Sequence, residues 1–412
     1  MNIVSFLDLI YQIFGKSVPN IKKIEKKGLL AIKIGQIFAL RIDFLTPEKC
    51  ELLATLYEQN EVMPNEDFKK LLSSYIEDPW YLNFNYIEEY ALASASIGQV
   101  HRGELKSGEK VVIKLVKNEF THNFQKDVNQ VLKFFKMIIF IYPKLSRVAN
   151  PMELIEMIKS DTLSELDLEN EIKHQNILKE IYFEFNKKVD LNDLRFPKIY
   201  QNLSNDKVLV AEEIRGDTFE KLLQNGRLEY FDLKKLFRIH GFYMFGVGIF
   251  HGDLHPGNII LKDGNIYFVD CGAIGRVSNK LRMGLFNFMK HLSYYEFQEC
   301  AKDLHSMSDI EITKEKYDLF KEKLNKLYED FPGKTVKEKS LTAQMMETIK
   351  LGVNYGMSFE KGIFPIIKSL MYLDGMVLRC NPNAILMEDM RENIPELEKI
   401  IKEEGDGLIW RR

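Results

Sequence analysis

His251-Gly252-Asp253-Leu254-His255-Pro256-Gly257-Asn258, followed by the apolar run Ile266 to Val269 and then Asp270, is the stretch from which the rest of the chain is read. An Asp, an Asn five positions on and a second Asp at the end of a following strand make the donor set that metal-assisted phosphoryl transfer needs. Asp253 can orient an acceptor oxygen and take its proton, while Asn258 and Asp270 can share one or two Mg²⁺ ions bridging the phosphates of a nucleotide. Asp, Asn and Gly are also the commonest turn residues, so either turn alone would pass as loop chemistry. Order and spacing decide between the two. Lys262-Asp263-Gly264-Asn265 reads as a hairpin turn between strands expected over 258–261 and 266–269, which fixes the three donors on one rim.

The chain has 412 residues, enough for two lobes plus extensions, and its 45% apolar share is that of an ordinary soluble protein. A net charge of −3 argues against a nucleic-acid partner, whose phosphates would call for a distinctly basic surface. Cys50, Cys271, Cys300 and Cys380 are too far apart for a disulfide framework or a Cys-x-x-Cys zinc site, which fits a reducing cytoplasm. The N-terminus carries Asp8 and lacks a basic region ahead of its apolar residues, so it is a poor secretion signal. The longest apolar runs, Met137–Tyr142 and Phe242–Phe250, fall short of the roughly 20 residues a spanning helix requires. No membrane crossing is expected.

Working outward to the N-terminus, Ile3, Phe6, Leu7, Ile10, Ile13 and Phe14 recur at helical spacing, and Lys22, Lys23, Lys26, Lys27 and Lys33 follow against a lone Glu25. Such a basic amphipathic start serves either as core with a solvated lysine face or as a contact to an anionic bilayer. Lys33 and Gln36 lie three apart on one helix face, and Thr46-Pro47-Glu48 and Met63-Pro64-Asn65 each open a further helix. From about Tyr86 the period changes to that of strands. Ala93-Ser94-Ala95-Ser96 forms a small-residue tip where backbone can approach phosphates, and Lys114 in the strand 110–116 can reach them as a point charge.

Helices are expected through 134–142 and 151–158, then a long one from Ser164 to Phe185 carrying Glu165, Asp167, Glu169 and Glu171. A strand lysine facing a nucleotide needs a carboxylate to fix its head, and Glu171 is assigned to it, whereas Glu169 complements the helix dipole. A hairpin is expected to join 198–201 to 208–213, with a hinge at Ile214-Arg215-Gly216 and an adenine strip over Glu212, Glu213 and Ile214. A buried helix over 233–250 then delivers the chain to Asp253. The remainder from Asn279 to about Lys402 reads as almost wholly helical.

Taken together, Lys-x-Gly-Gln at 33–36, the Ala-rich loop ending Gln99-Val100-His101, Glu165-x-Asp167, the His251–Asn258 loop and Asp270-Cys271-Gly272 stand in an order that resembles the atypical kinase family called ABC1, ADCK or UbiB. The likeness runs from about Leu30 to Met387, with Arg41-x-Asp43, Asp374-Gly375 and Asn381-Pro382 as further matches. The resemblance implies an α+β, two-lobed protein-kinase-like fold, with an N-terminal helical extension over 1–85, an N-lobe over 86–215 and a largely helical C-lobe over 216–412. It also implies roles residue by residue. Lys114 would be the nucleotide lysine, Glu171 its helix partner, Asp253 the catalytic-loop acid, Asn258 and Asp270 the metal ligands, and Ala93, Ser94, Ala95 and Ser96 the loop over the phosphates. Lys33 and Gln36 would enter the active site from the extension and meet Glu165 and Asp167.

The chain departs from the pattern in places. Cys271 replaces the usual Phe, Gly252 stands where ordinary protein kinases hold an Arg, no Ala-Pro-Glu triplet follows Asp270, and Ala91 stands where many members hold Pro. Members anchored in membranes carry C-terminal spanning helices, and none is expected within this sequence, whose last residues are Ile409-Trp410-Arg411-Arg412.

The expected activity is therefore that of a cytoplasmic, Mg²⁺-dependent ATP-binding kinase or ATPase. It would work near isoprenoid quinone or lipid metabolism, on a lipid-like or isoprenoid acceptor in place of a protein, with peripheral contact to the inner face of a membrane. Two alternatives stand beside it. A small-molecule phosphotransferase of the aminoglycoside or choline kinase type would share the His-Gly-Asp loop but have no need of Lys33, Gln36, Glu165 and Asp167. A nucleotide-binding pseudokinase scaffold would bind without turnover.

Overall fold

The first sheet begins at Phe84 in the computed structural model, which describes residues 1–39, 45–57, 62–94, 97–117, 120–141, 151–360 and 362–404. The chain divides into two compact units, Met1–Lys173 with Pro197–Glu213, and His174–Phe196 with Ile214–Arg412. Arg41, Asp43, Ala95, Ser96 and Ile409–Arg412, all singled out above, lie outside the described residues.

In the first unit, strands Phe84–Ser94, Gly98–Leu105, Lys110–Val116 and Val208–Glu212 form an antiparallel sheet in that order. Gly108, with φ 91°, makes the turn between the second and third strands. Strand alternation sends Val111, Ile113 and Leu115 to one face, where they pack with Phe84, Ile87 and Val210 on Phe68 and Leu72 of the helix Asn65–Tyr75. Lys114 therefore points to the opposite face, where Leu209 and Ala211 meet Leu166 and Leu168. Ahead of the sheet, helices Ile3–Phe14, Ile21–Glu25, Leu29–Ala39 and Pro47–Ala54 bury Phe6, Leu9, Ile13, Leu30, Ile34 and Leu53 against Phe124 and Val128 of the helix Phe120–Ile141. Asn2 and Asn20 cap the first two helices through their side-chain oxygens, which accept from Ser5 and Lys23 N–H groups at 2.8 and 3.0 Å.

Two expectations for this unit are corrected. The long helix from Ser164 to Phe185 is two helices, Pro151–Glu165 and Leu168–Phe185. The break forms because Leu166 and Leu168 are both drawn into the small core with Leu209 and Ala211, and the Leu168 N–H donates to the Asp206 carbonyl at 2.9 Å. The expected hairpin joining 198–201 to 208–213 is shortened to an Ile199–Ala211 bridge, flanked by the Tyr200 and Glu212 N–H groups donating to the Val210 and Lys198 carbonyls, and Gln201–Leu203 is a 3₁₀ turn. Ser204 Oγ donates to the Tyr200 carbonyl at 2.9 Å and accepts from the Val210 N–H at 3.0 Å, so a side chain occupies positions a ladder would have used.

In the second unit the expected helix over 233–250 is also corrected. Helix Tyr230–Gly241 widens into a π-helix over Phe242–Val247, Gly248 turns at φ 82°, and Ile249–His251 is a strand. An uninterrupted apolar run has no period from which to read that change. Arg282, almost wholly buried, donates from Nη1 to the carbonyls of Phe245 and Gly246, which satisfies the end of the widened turn. Strand Ile249–His251 pairs with Ile274–Arg276. Strands Ile259–Lys262 and Asn265–Phe268 form the expected hairpin, closed by Asp263 and Gly264 at φ 51° and 76°, the two left-handed residues of a type I′ turn. From Asn279 to Glu404 the described chain is mostly helical, around a core that includes Phe250, Leu254, Phe268, Cys271, Leu285, Ile366 and Val377.

Candidate active site

In the second unit His251 organises the loop. Its Nδ1 accepts from the Asp253 N–H at 3.1 Å, which leaves Nε2–H to donate to the Asp270 carbonyl at 2.6 Å. One imidazole thus ties Asp253 to the turn that follows the hairpin. Burial pushes this ring below its ordinary pKa against the pull of Asp253 and Asp270, so it is the neutral tautomer that makes both bonds. The Asn258 amide nitrogen donates to the Asp253 carbonyl at 3.1 Å and to its carboxylate Oδ2 at 3.4 Å, so a cation at this side chain would meet the amide oxygen. The Val269 N–H donates to the Asn258 carbonyl at 3.1 Å, bringing the strand that ends at Asp270 alongside Asn258. Asp270 Oδ1 accepts from the Gly272 N–H at 2.9 Å.

Asp253 Oδ1 faces Lys368 Nζ at 3.1 Å. Burial raises the Asp253 carboxyl and Asp270 adds to that, but the Lys368 ammonium outweighs both and holds it below its ordinary value. The carboxylate is therefore ionised and able to accept a proton. One Asn oxygen and one Asp carboxylate are hard donors of the kind Mg²⁺ takes when phosphates and water complete its shell, so these residues fit that ion. Among the described residues no cluster of three His, Cys, Asp or Glu side chains forms a zinc-type site.

In the first unit Lys114 Nζ meets Glu171 Oε2 at 2.7 Å, with the Glu171 side chain 7% and the Lys114 side chain 20% exposed. The acid is anchored and the lysine keeps the freer surface. Ala93 and Ser94 end the first strand opposite Val100 and Gln99, and Ser94 Oγ accepts from Lys117 Nζ at 3.0 Å. At Gly98 an added Cβ would stand 2.9 Å from the Leu115 carbonyl, so only glycine lets the strand leave the loop this close to its neighbour. Lys33 and Glu165 form an ion pair across 132 residues of sequence. Gln36 is buried, its Nε2 donating to the Leu56 carbonyl at 3.0 Å, and Asp167 Oδ1 accepts from the Glu169 N–H at 3.0 Å. The N–H groups of Glu212 and Glu213 already donate to the carbonyls of Lys198 and Lys110 at 2.8 and 3.0 Å, so these two amides are committed within the sheet region. Ile214 begins the second stretch of the second unit.

Four residues, His251, Gln99, His101 and Lys368, make contacts here that the sequence reading did not assign. His251 could have been found as the residue two before the Asp, whose ring is able to fold back on the loop. Gln99 and His101 explain the Gln-Val-His triplet. The Gln99 amide clamps Met63 through N–H and carbonyl at 2.7 and 2.9 Å, and its nitrogen also donates to His101 Nε2 at 2.9 Å, while His101 Nδ1 bonds the Glu88 carbonyl. Lys368 carried no local signal at all.

Residues 55–304 match the model of the ABC1 atypical kinase-like domain. Over 406 residues the chain is 26% identical to an uncharacterized Clostridium pasteurianum protein from the 5′ region of hydrogenase 1, covering 96% of this chain and 72% of that one. An uncharacterized chloroplastic aarF domain-containing protein kinase of Arabidopsis thaliana is 25% identical, covering 90% and 73%. A probable protein kinase UbiB of Glaesserella parasuis is 24% identical, covering 94% and 71%. Among solved structures, a Mycobacterium tuberculosis protein in complex with erythromycin is similar with a TM-score of 0.52 at 17% identity, over 92% of this chain and 96% of that one, a likeness of fold. With an α+β kinase-like fold and a family model matching well over half its length, the chain belongs to the ABC1 atypical kinase-like family.

Proposed function

We propose that the chain is an ATP-binding, Mg²⁺-dependent atypical kinase or ATPase that hydrolyses ATP or passes its phosphoryl group to a small, lipid-like acceptor near isoprenoid quinone or lipid metabolism. The observation that carries this reading is the His251 ring, bonded at once to the Asp253 N–H and to the Asp270 carbonyl, with Asn258 on the Asp253 carboxylate. On this reading Asp253 takes the proton of the attacking hydroxyl or water, and Lys114, held by Glu171, binds a nucleotide phosphate. Asn258 and Asp270 would hold Mg²⁺, whose charge offsets that of the phosphates when it is bound. Residues 1–85 act as an extension, 86–215 as the N-lobe and 216–412 as the C-lobe.

The Lys33–Glu165 pair supports an acceptor other than a peptide, because it commits the extension to the acidic residues beside the Lys114 helix partner. The first helix supports peripheral contact with the inner face of a membrane. Its face Val4, Leu7, Tyr11 and Phe14 is exposed, at 76% for Val4, while Phe6, Leu9 and Ile13 fill the core, and Lys22 and Lys26 nearby are exposed. No helix of the described residues is long and apolar enough to cross a membrane.

The test is phosphate release from Mg²⁺-ATP by the purified chain, with and without anionic liposomes, beside Asp253→Asn and Asp270→Asn. Turnover that rises with lipid and is lost in Asp253→Asn is expected, with Asp270→Asn losing Mg²⁺-dependent nucleotide binding while still folded. Nucleotide binding without phosphate release under either condition would replace the enzyme by a pseudokinase scaffold.

A further inference from the structure

Phosphoryl transfer spreads negative charge over the transferred group, and cations aimed at that group supply much of the rate. The loop His251–Asn258 contains no Lys or Arg. A cation reaches it from 115 residues away in the same unit, on the helix Ile363–Cys380, where Lys368 Nζ stands 3.1 Å from Asp253 Oδ1. That oxygen is closed to solvent, yet the lysine and aspartate side chains as wholes keep 28% and 33% of their surface. The pair is thus at the edge of the core and not sealed within it. One turn further along the helix, the Tyr372 ring lies 5.8 Å from the same ammonium and meets His255 of the loop edge-on at 5.7 Å. Two contacts therefore steer this helix face onto the loop.

We infer that Lys368 is the catalytic cation of this loop, binding an oxygen of the γ-phosphoryl group beside Asp253 and stabilising its charge during transfer. The inference rests on the proposed ATP chemistry. The attacking water or acceptor oxygen forms the new bond to phosphorus, and the bond from phosphorus to the β-phosphate bridging oxygen breaks, its electron pair leaving with ADP. The proton of the attacking group goes to Asp253. Lys368 forms no covalent bond and gives up no proton.

The experiment compares Lys368→Met and Lys368→Arg with the unaltered chain, measuring Mg²⁺-ATP and Mg²⁺-ADP affinity by calorimetry, phosphate release and melting temperature. Lys368→Met is expected to lower kcat about 100-fold or more, to keep its ADP affinity and to lose any preference for ATP over ADP. Lys368→Arg, which keeps the charge, should retain most of both. Unchanged turnover and ATP preference in Lys368→Met would overturn the inference. So would a rise in turnover, which would make the lysine a mask on Asp253, or an equal loss of ATP and ADP affinity with a fallen melting temperature, which would make it structural. Should the unaltered chain bind ATP without turning it over, the enzyme reading fails separately, and the ATP-to-ADP ratio still decides whether Lys368 meets the γ-phosphate.

Discussion

Glu171 and Lys114 lie 57 residues apart in sequence and 2.7 Å apart in space. Glu171→Gln removes the carboxylate that meets the Lys114 ammonium in a buried pair, and should cost about 3 kcal/mol, the lower end of the range because Lys114 is partly solvated. Urea denaturation would measure that loss, and nucleotide binding should weaken in the same variant. Equal midpoints for the variant and the unaltered chain would show that the pair contributes nothing to stability. Gln99→Leu should cost about 2–3 kcal/mol, since it leaves the Met63 N–H and carbonyl and one nitrogen of His101 without their amide. Hydrogen exchange should then speed up at the Met63 amide while the strand Lys110–Val116 stays protected. The lysine and its acid were legible from the sequence because a strand lysine facing a phosphate needs a carboxylate. The Gln99 clamp was not, because a glutamine in a strand gives no sign of which distant backbone it will hold.

Legibility at the scale of elements follows how local the determining contacts are. The hairpin at Lys262–Asn265 could be read from four residues because its turn is set by Asp263 and Gly264 alone. Gly264→Val, which places a β-branched residue at φ 76°, should therefore destabilise the second unit by about 1–3 kcal/mol, measurable as a lowered melting temperature. The break at Leu166-Asp167 could not be read, since it depends on Asp206 some 40 residues later. Nor could the π-helix before the His251–Asn258 loop, whose carbonyls are held by Arg282. Arg282→Leu should consequently cost more than a usual core change, about 3 kcal/mol, by stranding those carbonyls. It should also lower phosphate release, because Ile249–His251 enters the loop from that turn. A variant that melts lower but turns over normally would separate the turn from the chemistry.

At the scale of the molecule, three buried imidazoles, His101, His240 and His251, are all held below their ordinary pKa, in each case first by burial, and His240 falls to about 3. Each stays neutral in the folded chain and takes up a proton once unfolded near pH 6.5. Their contribution to stability is therefore complete above 6.5 and falls as pH drops below it, for His240 down to about 3. Each added proton steepens the fall by about 1.4 kcal/mol per pH unit. Urea midpoints should decline from pH 7 to pH 5, and His240→Phe should make that decline shallower. Equal slopes in the two chains would mean that His240 is protonated without cost. The kinase-like fold and the family were legible in the ordered motifs, because each motif is a short local solution to a chemical need. The side chains that hold those motifs in place come from far along the chain, and their positions follow only from the packed tertiary structure.

The bond from His251 to the Asp270 carbonyl carries a practical consequence. A ring N–H donating over 2.6 Å inside a closed core exchanges slowly with water and is strongly deshielded. It should therefore give a proton resonance well downfield of the amide region. Because its acceptor is the carbonyl of a proposed metal ligand, that signal should move when Mg²⁺ is titrated in. The ring is thus a built-in spectroscopic reporter of ion occupancy, readable before any substrate is known.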